Sequence, residues 1–249
     1  MLSKEKQKFV RSLGDKKTRI EEGLFLVEGE KSILELLKSS FEIKNLYITK
    51  KFEEKHSDVL KDTNYEISDS ETIEKISISK SNNAGIAIVV SPKNDFLEIE
   101  NEEFIVVLDT INDPGNLGTI IRICDWYGIK KIIASKETVE LTNPKVVSSS
   151  MGSISRTNIF YTDLEKYFEK KSSKHDIFGA FLDGENIHKI DFEKHDGGFI
   201  VIGNESHGIS KSIEKFVTKK ITIPSFGQAE SLNAGVATGI IIDNIFRTK

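Results

Sequence analysis

The side chains best suited to chemistry fall in three corners: Asp113-Pro-Gly-Asn-Leu-Gly118, Gly203-Asn-Glu-Ser-His-Gly208, and the stretch from Pro224 to Asn233. Each corner follows an apolar run of strand length. In an open parallel α/β sheet, ligands bind beyond the carboxyl ends of the strands, so the three corners point to one shared pocket. The third corner leads into an apolar helix ending near Phe246, and Ala234, Gly235, Ala237 and Gly239 crowd its start. Each glycine there costs about 1 kcal/mol of helix propensity against alanine. A close neighbour or a ligand is the expected reason, with a tightly packed core helix as the alternative. None of the corners is a common nucleotide motif, because there is no G-x-G-x-x-G and no Walker lysine after Gly115-Asn116-Leu117-Gly118. A G-x-S-x-G elbow is also missing, which argues against a serine hydrolase.

The elements that must hold these corners alternate between strand and helix. Residues 104–108, 131–134, 158–161, 177–181, 199–203 and 220–223 read as strands, with helices near 118–127, 163–171, 210–217 and 234–246. This alternation predicts a mostly parallel sheet covered on both faces. Upstream, strands at 24–27, 43–48 and 85–90 and helices at 31–39, 52–61 and 71–76 predict a smaller α/β domain. The proline-containing acidic run before residue 104 is the best linker, giving a substrate domain over 1–91, a linker over 92–103 and a second domain over 104–249.

With 38% hydrophobic and 30% charged residues and four prolines, the 249-residue chain has the composition of a folded protein of one or two domains. Its apolar runs are far shorter than the roughly 20 residues that span a bilayer, so no membrane segment is expected. The charged N-terminus lacks the apolar core of a secretory signal, so the cytoplasm is the expected location. The single cysteine, Cys124, fits a reducing compartment, and the five histidines show no ligand spacing, so no metal is expected. A net charge of -4 argues against coating nucleic acid through bulk charge. A local patch exists, however: Lys4, Lys6, Lys8, Arg11, Lys16, Lys17 and Arg19 face only Glu5 and Asp15. Such an arm can neutralise phosphates, with Lys16, Lys17 and Arg19 as candidate RNA contacts. A solvated amphipathic helix packing Phe9, Val10 and Leu13 inward is the alternative.

The segments Asp113-Pro-Gly-Asn-Leu-Gly-Thr-Ile-Ile-Arg122, Ile202-Gly-Asn-Glu-Ser-His-Gly208, and Ile223-Pro-Ser-Phe-Gly with Ser231-Leu-Asn233 resemble, in order and spacing, the three motifs of SpoU (TrmH-type) RNA ribose 2'-O-methyltransferases. The N-terminal part, with Gly23-Leu-Phe-Leu-Val-Glu-Gly29, is similar to the substrate-binding domain often attached to that family. One departure is Ala234-Gly235, where many members carry Val-Ser; both pairs are small. The resemblance implies a small N-terminal α/β RNA-binding domain followed by a SPOUT methyltransferase domain with a parallel sheet and a deep trefoil knot. Such threading departs from the usual rule for chain topology.

The resemblance also implies S-adenosylmethionine as cofactor, held at Gly203, Ile223 and Leu232, with Asn204, Gly208 and Ser231 beside them. Arg122 matches the family arginine. A guanidinium does not readily give up its proton, so Arg122 is expected to orient the ribose hydroxyl and stabilise negative charge, with an RNA phosphate or water taking the proton. Asn116, Glu205 and Asn233 match the remaining polar positions and are expected to hold Arg122 and the loops. Helix capping or a surface ion pair is the alternative for these three. His207 reads as a loop residue. Residues 148–153 either line the RNA side of the pocket or form a tight turn. A homodimer through the knot region and the C-terminal helix is implied, acting on ribosomal RNA. Competing readings are a transfer RNA methyltransferase, a base methyltransferase, or a non-catalytic RNA-binding or ribosome-assembly protein on the same fold.

Overall fold

The computed structural model describes residues 2–79, 81–171 and 174–247. The chain forms two compact units, one of residues 1–93 with 140–155 and the other of 94–139 with 156–249. The segment 140–155, placed by sequence in the second domain, clusters with the first. Among the described residues no helix is long and apolar enough to cross a membrane.

In the first unit the elements run α1 (Lys4–Ser12), α2 (Lys16–Glu22), β1 (Leu24–Glu28), α3 (Glu30–Leu37), β2 (Ile43–Thr49), α4 (Lys50–Lys55), β3 (Glu66–Ser68), α5 (Ser70–Ile76) and β4 (Gly85–Val90). The sheet order is β1-β4-β2-β3, with β4 antiparallel to both neighbours and β3 parallel to β2. The amphipathic reading of α1 is correct on its inner face, since Val10 and Leu13 are buried with Ile73, Ile76 and Ile86.

The second unit runs β5 (Phe104–Leu108), α6 (Pro114–Trp126) and β6 (Lys131–Ser135). After α7 (Pro144–Ser150), which packs on β1 in the first unit, it continues with β7 (Asn158–Thr162), α8 (Leu164–Lys171), β8 (Ile177–Asn186), β9 (Gly198–Ile202), α9 (Lys211–Glu214), β10 (Lys219–Thr222) and α10 (Ala234–Phe246). All six strands pair in parallel, in the order β10-β8-β9-β5-β6-β7. The central strands β5 (FIVVL) and β9 (GFIVI) are buried throughout, as continuous apolar runs in a doubly covered sheet must be. Leu108 is in register with Ile202 and Ala134, so the chain leaves β5, β6 and β9 at the same carboxyl end of the sheet.

Two helix starts are fixed by side chains. The Asp113 carboxylate accepts the Asn116 N–H at 2.8 Å with Pro114 in the first turn, and Asn233 accepts from the N–H groups of Gly235 and Val236 at 3.0 and 3.3 Å. Helix α10 packs on α6, and a Cβ at Gly235 would lie 2.9 Å from the Thr119 side chain. The small residue there admits a neighbouring helix.

Arg19 is a correction to the basic arm. Its side chain is only 3% exposed and donates to the carbonyls of Leu13 and Gly14 at 3.1 and 2.6 Å and to the Glu140 carboxylate at 2.6 Å. It therefore ties α2 to the segment that carries α7 and cannot reach RNA phosphate. Burial raises the Glu140 carboxyl, but its own backbone N–H, Arg19 and Lys16 together outweigh burial and leave it below the ordinary range.

Arg19→Ala should cost about 3 kcal/mol, the low end for breaking a buried pair because Glu140 keeps some solvent. A depressed carboxyl stabilises above its unfolded pKa and loses that contribution as pH falls. The difference in thermal midpoint between wild type and variant should therefore shrink as pH drops below ~4. At Gly203, just past β9, a Cβ would lie 2.2 Å from the Gly208 carbonyl carbon and 2.3 Å from the Ile209 nitrogen, both backbone atoms. Gly203→Ala should accordingly lower the thermal midpoint of the free protein, and an unchanged melt would contradict the loop closure.

Candidate active site

The corner after β5 and the corner after β9 face each other across a cleft of about 690 Å³. This lies within the usual range for a ligand site. Asp109, Thr110, Asn112, Asp113, Asn116, Asn204, Glu205 and His207 line it, together with Ser206, Gly208 and Ser210. No lysine or arginine belongs to this lining.

Asn116 is the meeting point. Because Asp113 already caps α6, the Asn116 side chain is free to turn away from the backbone. Its Nδ2 donates to Glu205 Oε1, and its Oδ1 accepts from Asn233 Nδ2 at 2.7 Å. The capping alternative is thus wrong for Asn116. For Asn233 it is right and incomplete, since the same side chain caps α10 and donates to Asn116. Glu205 pairs with no cation among the described residues; its partner is the Asn116 amide.

Two further residues that no motif marks, Asp109 and Thr110, build the frame behind this cluster together with Asn204 of the second corner. Asp109, buried at the end of β5, accepts the Ser210 N–H at 2.7 Å and the Thr110 hydroxyl at 3.2 Å. Thr110 donates its N–H to Ser135 Oγ at 3.0 Å and accepts from Asn204 Nδ2 at 2.8 Å through its carbonyl. The Asn204 carbonyl oxygen in turn gathers the N–H groups of Ser206 and His207 at 2.9 and 3.3 Å. For Asp109, an acidic residue directly after an apolar run was the only available sequence signal.

The structure joins Asn116, Glu205 and Asn233 but does not bring Arg122 to them. Arg122 is exposed on α6, outside the cleft lining, and makes no hydrogen bond or ion pair among the described residues. Of the six expected cofactor residues, Asn204 and Gly208 line the cleft, whereas Gly203, Ile223, Ser231 and Leu232 do not. Gly203 is required by the backbone of its own loop, which leaves no room for a side chain there.

The third corner nevertheless fits an adenosine-type ligand. Among the described residues, nothing in 224–232 takes part in a hydrogen bond, which leaves a run of backbone donors and acceptors open. Leu232 stays 46% and Val236 50% exposed beside it, offering apolar surface for a flat base. Lys16 pairs with Glu140 at 3.3 Å and Lys17 with Glu21 at 3.8 Å, both side chains remaining exposed. Among the described residues no three His, Cys, Asp or Glu side chains converge as a metal ion would require.

Comparison with known proteins agrees with this architecture. Residues 103–243 match the SpoU rRNA Methylase family, and residues 4–87 match the MRM3-like substrate binding domain. The 23S rRNA (guanosine(2553)-2'-O)-methyltransferase RlmP of Bacillus subtilis is 26% identical, covering 96% of this chain and 94% of its own length. The tRNA (guanosine(18)-2'-O)-methyltransferase of Aquifex aeolicus is 32% identical over 59% of this chain and 71% of its own length. The crystal structure of an AdoMet-bound rRNA methyltransferase from Sinorhizobium meliloti superposes with a TM-score of 0.87 at 26% identity, covering 100% of this chain and 96% of that one. With its three motif corners bound together through Asn116 and the family match spanning more than half its length, the chain belongs to the SpoU rRNA methylase family.

Proposed function

We propose that this protein transfers a methyl group from S-adenosylmethionine to a ribose 2'-hydroxyl of ribosomal RNA. The observation that carries the reading is the Glu205–Asn116–Asn233 linkage, which joins all three family motifs within one unit. A ribosomal substrate is favoured over transfer RNA because RlmP aligns over nearly the whole chain, whereas the Aquifex transfer RNA enzyme aligns over little more than half. The match to a substrate-binding domain over residues 4–87 supports the same choice.

Bound S-adenosylmethionine would supply an electrophilic methyl group. Residues 1–91 act in RNA binding, joined through 92–103 to the catalytic part over 104–249, and the unit that receives 140–155 shares the RNA-binding role. Gly203, Ile223 and Leu232, with Asn204, Gly208 and Ser231, form the cofactor side. Lys16 and Lys17 contribute phosphate contacts. A ribose hydroxyl is a poor nucleophile until it loses or shares its proton, and Arg122 orients it and offsets the developing negative charge. The unpartnered guanidinium is available for an RNA ligand. Asn116, Glu205 and Asn233 hold the corners in register. The family's trefoil knot is part of this reading. The return of the chain from β10 at one sheet edge to α10 against α6 supports it. The cytoplasm is where such a substrate is met.

A homodimer belongs to the same reading. Ile241, Ile242 and Ile245 are consumed inside the chain's own core. The uncovered apolar groups are instead Trp126, 84% exposed one turn from Arg122, together with Phe226, 96% exposed, and Val236 on α10. A second copy of this chain would cover them.

Ribose-methylation mapping of ribosomal RNA should show one site lost in cells lacking this protein. Arg122→Ala should fail to restore it while melting like wild type, because the side chain contributes nothing to the fold. Sedimentation equilibrium at micromolar concentration should give a dimer for wild type and a monomer with an unchanged melt for Trp126→Glu. A wild-type monomer active at full rate would refute the assembly.

A further inference from the structure

We infer that His207 is the base that receives the ribose 2'-hydroxyl proton, an assignment that rests on the methylation proposed above. It begins with the Asn204 amide. One end of that amide accepts two backbone N–H groups, from Ser206 at 2.9 Å and His207 at 3.3 Å, while the other end donates to the Thr110 carbonyl at 2.8 Å. Reversing it would set N–H against N–H and oxygen against oxygen, so its orientation is fixed by its partners. The same Asn204 Oδ1 lies 3.3 Å from His207 Nδ1. A carbonyl oxygen can only accept, so Nδ1 carries the proton, and in the neutral ring the lone pair is then on Nε2. Nε2 has no partner among the described residues, and the ring is exposed on the lining of the cleft that holds Asn116 and Glu205.

The other titratable groups of the cleft are engaged. Asp109 is buried and holds Ser210 N–H and the Thr110 hydroxyl, Asp113 caps α6, and Glu205 accepts from Asn116. In the transfer, the O–H bond breaks and its electron pair forms the new O–C bond. The C–S pair leaves with sulfur, and the proton passes to His207 Nε2. Water later takes it from the imidazolium. The ring thus supplies an acceptor, which a permanently charged Arg122 cannot.

Two measurements test this. Nitrogen-15 NMR of the histidine-labelled free protein should show His207 as the Nδ1–H tautomer with a bare Nε2. With total ribosomal RNA from cells lacking the protein as substrate, His207→Asn and His207→Gln should lower kcat by roughly 10²- to 10⁴-fold. Affinity for S-adenosylmethionine and KM for RNA should stay within about threefold of wild type. The acidic limb of the wild-type pH–rate profile should vanish in both variants, and added imidazole should restore part of the rate to His207→Ala. An Nε2–H tautomer, or variants that keep wild-type kcat, would overturn the assignment. A wild-type protein that transfers no methyl group to RNA would overturn the methylation reading itself, an outcome distinct from active wild type with unimpaired variants.

Discussion

Asn116 offers a carbonyl oxygen to Asn233 and an amide N–H to Glu205, so one side chain on α6 holds both later corners. Only an amide of this length can do so. Aspartate would keep the acceptor but lose the donor and set a second carboxylate beside Glu205, while alanine would remove both bonds and release the exposed Glu205 and Asn233 from each other's corners. The arrangement depends in turn on Asp113-Pro114, which satisfies the start of α6 and releases Asn116 from capping. Helix start, site geometry and loop spacing are therefore one constraint. A change at any of the three corners is felt at the other two.

The charge pattern of the first twenty residues has a different meaning in the folded chain. Lys6 pairs with Glu66, Lys16 and Arg19 with Glu140, and Lys17 with Glu21, while Arg11 donates to the Lys75 carbonyl. A surplus that looks electrostatic in sequence is in large part structural. Exposed pairs such as Lys17–Glu21 are weak and can open toward phosphate. The buried Arg19 cannot, and its role is to attach residues 140–155 to the first unit.

The parallel sheet was legible because β5 and β9 are buried on both faces and their sequences show it. β3 escaped notice because three residues at a sheet edge, Glu66–Ser68, carry no periodicity. Residues 148–153 read as either a pocket lining or a tight turn, and they do contain a turn at Met151 (φ 53°), but it ends a seven-residue helix too short to announce itself. That this helix packs on β1 is a long-range fact that local pattern cannot encode. Two of the three strand-end corners line one cleft and the third is tied to them through Asn233, and the site residues were assigned through family resemblance. The Asn116 contacts span 89 and 117 residues of chain, so no spacing rule would have paired them.

The frame residues show why a motif alone under-describes such a site. Thr110 is β-branched yet holds φ at 63°, a backbone conformation such residues strongly avoid. Conformations of this kind cost on the order of 1–3 kcal/mol and persist only where surroundings over-determine them. Here the N–H is taken by Ser135 at the end of β6, the carbonyl by Asn204 after β9, and the hydroxyl by Asp109 at the end of β5. Three adjacent strand ends therefore meet on one strained residue. The strain turns the Thr110 carbonyl toward Asn204, and that contact orients the amide which fixes the His207 ring. The order of dependence runs from sheet register to strained threonine to amide to imidazole. The chemistry at the cleft mouth is thus set by packing several residues behind it.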